Sequence, residues 1–196
     1  EKKFEEAASM ARSVGINLYS GCEYKIQDAL LLKDRLITLA GSDFILVEIT
    51  SGLLGDFVCN QVYDLELAGY PVILAHPERS FVPADLPKLR KLGDMGVYFQ
   101  ITAGSIAGKF GKQIQGFAFK LLEEGLCHFV ASDAHNQRSR AFFFTEARST
   151  LQKKELMPQA INLLFRENTS KVLNGEPSIK SFPRKRSQPS RRKLFP

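Results

Sequence analysis

Ionisable side chains follow short apolar runs at four places in this sequence. The clearest case is the segment 71–79, Pro-Val-Ile-Leu-Ala-His-Pro-Glu-Arg, which predicts a buried strand with His76 at its carboxyl end. The side chains in this position are Glu23, Glu48, His76, and the pair Asp133 and His135. One such residue alone would be an ordinary solvated or capping side chain. Carboxylates and imidazoles that converge at one edge of a sheet suit manganese, iron or zinc, so the recurrence predicts a metal site.

Strand and helix patterns alternate along the chain, with short loops between them. Apolar runs of strand length occupy 44–48, 71–75, 97–101 and 127–131, and a further strand is expected to run from residue 16 through Glu23. Helical spacing occupies 2–14, 53–68, 84–95, 113–124, 140–152 and 155–167, and residues 102–105 predict a tight loop. Residues 25–42 are ambiguous and could form a short hairpin. The alternation is typical of parallel βαβ units and predicts an α/β fold.

Length and composition indicate one domain, or a large part of one. The chain has 196 residues, of which 44% are hydrophobic, which is normal for a protein with a substantial core. No apolar run approaches the length of a membrane span, and no signal-peptide pattern opens the chain. The chain begins at Glu1 and immediately shows helical spacing, from which we expect that an N-terminal part is missing.

The spacing around the three cysteines excludes a thiolate phosphatase. Cysteine-dependent phosphatases carry an arginine six positions after the cysteine. The residues at this distance from Cys22, Cys59 and Cys127 are Asp28, Leu65 and Asp133. The odd number of cysteines and their wide separation predict reduced thiols in a cytoplasmic protein.

The net charge of +6 comes from the end of the chain. Residues 180–196 contain seven Lys and Arg and no acidic residue, so residues 1–179 carry a net charge of about −1. Prolines and serines make this segment disordered by composition. We therefore expect a domain over 1–179, a separate basic tail over 180–196, and no specific binding of nucleic acid. The tail could contact an anionic membrane surface weakly, or it could be a solvated extension.

Taken together, the motifs resemble the PHP (polymerase and histidinol phosphatase) superfamily. Within it, the sequence is similar to the bacterial CpsB/CapC-type manganese-dependent tyrosine phosphatases of capsular and exopolysaccharide biosynthesis. The resemblance covers nearly all of residues 1–175, in the family's order. The matching stretches are Gly21 to Glu23, Ile45 to Glu48, Tyr70 to Arg79, Gln100 to Ser105 with Gly108, Ala131 to Asn136, and Asn168 to Gly175.

The resemblance implies a distorted (β/α)7 barrel with a multinuclear metal cluster at the carboxyl ends of its strands. Glu23 resembles the carboxylate that bridges two metal ions, and Glu48 and His76 resemble the other ligands of one of these ions. Asp133 resembles a ligand of the second ion, and His135 resembles a ligand of a third. The implied ion is Mn2+, with Fe or Zn as alternatives.

The resemblance also implies phosphate-binding residues. Arg79 resembles an arginine that grips the substrate phosphate, and Arg140 lies where a second is expected, with Arg138 as its rival. Glu78 is expected to orient Arg79 or a neighbouring loop. The implied reaction is hydrolysis of phosphotyrosine in a protein, and the expected partner is a bacterial tyrosine kinase of polysaccharide export. The alternatives are a small-molecule phosphoesterase of the histidinol-phosphatase type and a non-catalytic binding module with an incomplete metal cluster.

The sequence departs from the family's pattern at two points. The family begins with a strand that carries His-x-His, whereas this sequence has three histidines and no such motif. We therefore expect the first strand or strands to be missing through truncation, with loss of part of the cluster as the alternative. As it stands, the sequence keeps the ligands of one metal ion, Glu23, Glu48 and His76, while the other two metal sites are expected to be incomplete, so this fragment could be inactive. Ser80 replaces the tyrosine that often follows His-Pro-Glu-Arg, so contacts with an aromatic substrate are expected to differ.

Overall fold

The structure, a computed structural model, describes residues 2–32, 35–50 and 52–181 and contains a five-stranded parallel sheet. The strands are β1 (Glu23–Lys25), β2 (Ile45–Glu48), β3 (Val72–Ala75), β4 (Tyr98–Thr102) and β5 (Phe129–Ala131). They lie in sequence order, and every neighbouring pair is parallel. All five carboxyl ends therefore meet at one edge of the sheet, where α/β folds usually place their chemistry.

Helices connect the strands, as the alternating pattern predicts. They are α1 (Lys2–Ser13), α2 (Ile26–Leu31), α3 (Asp56–Leu67), α4 (Pro77–Ser80), α5 (Leu86–Asp94), α6 (Ala103–Ile106), α7 (Lys112–Glu123), α8 (Phe144–Lys153), α9 (Pro158–Asn162) and α10 (Asn168–Leu173). Short 3-10 turns lie at Leu39–Gly41 and Pro83–Asp85. A π-helical turn at Leu163–Glu167 joins α9 to α10.

The core forms because the central strands are apolar on both faces. All four residues of β3 are buried, as expected for a parallel strand that helices cover on both sides. The packing helices supply apolar stripes, of which α5 is an example with Leu86, Leu89 and Leu92 buried at spacings of three. Each fully buried leucine contributes about 1.5–3 kcal/mol to the free energy of folding relative to an exposed one. This packing stabilises the strands whose carboxyl ends form the site.

The region around β1 differs from the expected strand and hairpin. Residues 16–22 have no regular secondary structure, so Glu23 begins β1 instead of ending a long strand. β1 is short because it pairs with β2 only over Glu23–Lys25, after which the chain turns into α2. Ile26 and Ala29 of this helix are buried in the core, and their spacing of three is satisfied by a helix, whereas a hairpin would separate them.

Several other predictions can be compared with the structure. The segment 102–105, predicted as a tight loop, contains the first residues of the single-turn helix α6. Cys22, Cys59 and Cys127 are free thiols. No helix in the described part of the chain is long and apolar enough to cross a membrane. The predicted basic tail lies outside the described residues from position 182 onwards.

Candidate metal centre

Glu23, Glu48 and His76 meet at the carboxyl edge of the sheet. One potential ligand atom from each side chain lies within 4.8 Å of the others. The register of β1 against β2 explains the approach of the two carboxylates, since Glu23 lies opposite Leu46, two residues before Glu48. Residues two apart on a strand share a face, so both carboxylates project from the same face of the sheet. His76 follows β3 and completes the group.

His76 is held in a strained position beside Glu23. The residue is only 6% exposed, and its backbone φ of 35° lies in the left-handed region, which is strained for a residue other than glycine. The imidazole Nε2 lies 3.1 Å from Glu23 Oε1, and Nδ1 lies 3.5 Å from the Ser80 hydroxyl. Burial lowers the pKa of His76, but the hydrogen bond and charge of Glu23 outweigh burial and raise the pKa overall. The same hydrogen bond lowers the pKa of Glu23, so a cation that bound both groups would displace the proton between them.

Asp133 contacts two arginines and is not part of the three-residue group. Its Oδ2 accepts hydrogen bonds from Nη1 of Arg79 and from Nη2 of Arg140, and its side chain is 7% exposed. Burial raises the pKa of Asp133, but the two arginines outweigh burial and lower the pKa overall. The aspartate is therefore anionic, and it gathers two guanidinium groups at the end of β5.

The segment after Asp133 decides which second arginine faces the site. His135 has a side chain that is 55% exposed, and its Nδ1 lies 3.0 Å from the Asp133 carbonyl and 3.6 Å from Asp133 Oδ1. The backbone N–H of Arg140 donates to Asn136 Oδ1, and the carbonyl of Arg140 accepts from the N–H of His135. These hydrogen bonds close a loop over residues 135–140. The Arg140 guanidinium is directed toward Asp133, while Arg138 remains exposed. The structure therefore places Arg140, and not Arg138, against Asp133.

Glu78 lies beneath the site and contacts the neighbouring loop, which is one of the two roles expected for it. The residue is 1% exposed. Its Oε1 accepts the backbone N–H of Thr102 at 3.0 Å and the hydroxyl of Ser105 at 2.6 Å. Its Oε2 has no hydrogen-bond partner within the described residues, and burial raises the pKa of the carboxyl. Glu78 thereby fastens α4, the turn that carries Arg79, to the start of α6.

Phe110 is a part of the site that the sequence did not indicate. The Arg79 guanidinium lies 5.2 Å from the centroid of the Phe110 ring, a cation–π contact. Gly104 makes room for this ring, because a Cβ at that position would lie 2.8 Å from a Phe110 ring atom. No local sequence pattern marks a single phenylalanine between two helices as part of a site. Its contact with Arg79 depends on how α4 packs against the rest of the fold.

Comparisons with known sequences agree with the motifs. The sequence profile of the family described as capsular polysaccharide synthesis, CpsB/CapC, matches residues 1–174. The chain is 38% identical over 167 residues to the tyrosine-protein phosphatase YwqE of Bacillus subtilis, covering 84% of this chain and 63% of YwqE. It is 29% identical over 164 residues to the tyrosine-protein phosphatase CpsB of Streptococcus agalactiae, covering 80% of this chain and 67% of CpsB. The chain thus spans about two thirds of the length of these relatives.

A solved structure supports the same relationship. It comes from work on YwqE of Bacillus subtilis and CpsB of Streptococcus pneumoniae, described there as unique metal-dependent tyrosine phosphatases. The TM-score is 0.78 at 31% sequence identity, with 93% of this chain and 77% of the other chain covered. Because the family profile matches almost the whole described domain and the fold agrees, the chain belongs to the CpsB/CapC family of capsular polysaccharide synthesis.

Proposed function

We propose that this chain carries the active site of a metal-dependent phosphatase that hydrolyses phosphotyrosine in proteins and regulates capsular or exopolysaccharide biosynthesis. The observation that carries the proposal is the group Glu23, Glu48 and His76 beside an aspartate that holds two arginines. Divalent cations and guanidinium groups are the partners that phosphoryl oxygens prefer in proteins. The names of the relatives YwqE and CpsB, both tyrosine-protein phosphatases, support the same reaction.

Glu23, Glu48 and His76 are the proposed ligands of one divalent cation. Their donor atoms lie close enough together to share an ion at ligand distances of about 2.0–2.6 Å. Mixed oxygen and nitrogen donors suit Mn2+, with Fe or Zn as alternatives. Asp133 and His135 are the proposed ligands of further ions, since the arginines engage only Oδ2 of Asp133 and Oδ1 faces the imidazole of His135.

Arg79 and Arg140 are the proposed phosphate-binding residues. Both donate to one oxygen of Asp133, so their planar forks and positive charges converge on a small volume. Such forks donate in pairs to phosphoryl oxygens and stabilise the negative charge of the transition state. A bound divalent cation would lower the pKa of a water molecule and neutralise part of the phosphoryl charge. Water supplies the new oxygen on phosphorus, the bond to the tyrosine oxygen breaks, and the products are tyrosine and inorganic phosphate.

The proposal also includes the barrel form of the fold, the partner protein and the cellular location. We infer a distorted (β/α)7 barrel, which the sequential parallel strand order and the likeness to the YwqE and CpsB structure support. Within the described residues β1 pairs with β2 alone, which leaves its other edge available to a further strand. The proposed partner is a phosphotyrosine protein, namely a tyrosine kinase of polysaccharide export. The free thiols suit a cytoplasmic location.

The proposal is tested by metal binding and turnover measured together. The chain is stripped with a chelator and titrated with Mn2+ in a calorimeter, and hydrolysis of a phosphotyrosine peptide is compared with hydrolysis of histidinol phosphate. We expect Mn2+-dependent turnover with the peptide preferred. We also expect His76→Ala and Asp133→Ala to lose activity while their circular dichroism stays native, because both residues lie beyond strand ends.

Three outcomes would contradict the proposal. Preference for histidinol phosphate would favour a small-molecule phosphoesterase. Mn2+ binding without turnover of either substrate would favour a non-catalytic binding module. Full Mn2+ occupancy and full activity in both alanine variants would refute the assignment of His76 and Asp133.

A further inference from the structure

A cavity lies next to Arg79, between α4 and α7. Its volume is about 550 Å3, within the range of about 300–1,000 Å3 that is typical of ligand pockets. We call it the α4–α7 cleft and define it by the residues Arg79, Phe81, Val82, Lys112, Ile114 and Phe117. The cleft opens at the same edge of the sheet as the metal centre, because α4 follows β3 and α7 begins shortly after β4.

Apolar side chains form much of the cleft lining, beside the buried Glu78. The rings of Phe81 and Phe117 are buried, and Ile114 is half-buried between them and solvent. Val82 also lines the cleft and is 57% exposed. A bound apolar side chain would remove water from all four residues, at about 25 cal/mol for each Å2 of apolar surface buried.

The rim of the cleft is positively charged. Lys112 is exposed and makes no ion pair with any residue in the described part of the chain. It is the first residue of α7, a helix of 12 residues, so the partial positive charge of the helix N-terminus has the same sign. Lys120, about two turns further along α7, is paired with Glu124 at 3.0 Å. Among the described residues that line the cleft, Lys112 is therefore the basic residue without an ion pair, and it is available to an acidic group of a ligand.

Arg79 belongs to both sites. Its Nη1 bonds Asp133 at the metal centre, while its side chain forms part of the cleft wall. An extended peptide advances about 3.3–3.6 Å per residue, so two or three residues from a phosphotyrosine held at Arg79 would cover about 7–11 Å. A substrate chain that leaves the phosphate site on this side therefore passes directly over the cleft.

We propose that the α4–α7 cleft is a substrate subsite that binds the residues flanking the phosphotyrosine. An apolar side chain of the substrate packs against Phe81, Ile114 and Phe117, and an acidic side chain lies beside Lys112. This inference rests on the proposed phosphatase function and adds to it a preference for a substrate class, acidic peptides with an apolar residue near the phosphotyrosine.

The test uses synthetic peptides and the Mn2+-loaded chain. The phosphotyrosine is replaced by a non-hydrolysable difluoromethylphosphonate analogue, and one Glu and one Leu are moved through the three positions on either side of it. Binding is measured by fluorescence anisotropy for the unsubstituted chain, Lys112→Gln and Ile114→Ala. Lys153→Gln is the matched control, because Lys153 is an exposed lysine that lines a different cavity with Leu122 and Glu123.

We expect the effects of peptide and protein substitutions to be coupled. Replacing Glu by Gln in the best peptide should weaken binding about two- to fivefold in the unsubstituted chain and not at all in Lys112→Gln. Replacing Leu by Ser should weaken binding about three- to tenfold, and Ile114→Ala should remove most of this difference. Lys153→Gln should retain both preferences.

The outcomes separate the subsite from the phosphatase function. If the unsubstituted chain hydrolyses phosphotyrosine peptides but Lys112→Gln and Ile114→Ala weaken all peptides equally, the subsite is wrong and the phosphatase function stands. If the unsubstituted chain neither hydrolyses the phosphotyrosine peptides nor binds their analogues, both proposals are wrong.

Discussion

Replacing Glu78 by alanine should destabilise the protein much more than replacing it by glutamine. The Glu78 carboxyl is buried, and its Oε1 accepts hydrogen bonds from the Thr102 N–H and the Ser105 hydroxyl. Alanine leaves both buried donors without this acceptor, at about 1–3 kcal/mol each, so Glu78→Ala should lower the free energy of unfolding by about 2–6 kcal/mol. Glutamine retains an oxygen for the same donors and places its amide nitrogen at Oε2, which has no described partner, so the loss should be about 1 kcal/mol.

The pair of variants isolates the acceptor, because both remove the carboxyl group and only one removes the oxygen. Unfolding in urea is followed by circular dichroism with a chelator present, so that metal binding does not add to stability. A functional measurement accompanies it, since Glu78 fastens the turn that carries Arg79. The kcat/KM for a phosphotyrosine peptide should fall in the alanine variant and be largely restored in the glutamine variant. Equal stability of the two variants, or stability of Glu78→Ala within about 0.5 kcal/mol of the unsubstituted chain, would refute this reasoning.

Three further predictions concern other parts of the chain. Arg79→Lys keeps the charge but loses the planar fork, so kcat/KM should fall about ten- to a thousandfold while Mn2+ affinity, measured by calorimetry, is retained; unchanged kcat/KM would contradict a phosphate-binding role. Burial lowers the pKa of His128 to about 4, below its unfolded value of about 6.5, so the unfolded state binds the proton more readily. The free energy of unfolding should therefore fall by up to about 3 kcal/mol as the pH drops from 6.5 to 4. In the unsubstituted chain the Phe99 N–H donates to His128 Nδ1, and His128→Asn keeps an acceptor for it but cannot titrate. The stability of this variant should therefore lack that part of the pH dependence. If the free energy of unfolding of the variant and of the unsubstituted chain changes with pH in the same way, the buried neutral imidazole is refuted. Removing residues 182–196 should leave turnover of a small aryl phosphate unchanged, and equal binding of both chains to anionic vesicles at low salt would rule out the membrane role of the tail.

The local pattern of the sequence was sufficient to locate most elements and the residue types of the site. β3 illustrates the reason, because four consecutive apolar residues followed by His76 and Pro77 predict a buried strand and its end without knowledge of the rest of the fold. The same holds for the parallel arrangement, which follows from the alternation of strands and helices. The family was also evident from these motifs, whereas the roles of all five proposed metal ligands and of the two proposed phosphate-binding arginines stay predictions.

Only the tertiary structure decided how the side chains are partnered. Asp133 could not be matched with Arg79 from the sequence, because 54 residues separate them and their contact depends on the order of β3, β4 and β5 in the sheet. The choice of Arg140 over Arg138 depends on the closed loop after Asp133, a backbone geometry with no distinct residue pattern. The stretch after β1 satisfies helix and strand periods about equally, so burial of Ile26 and Ala29 against the core selected the helix, which leaves Leu31 exposed.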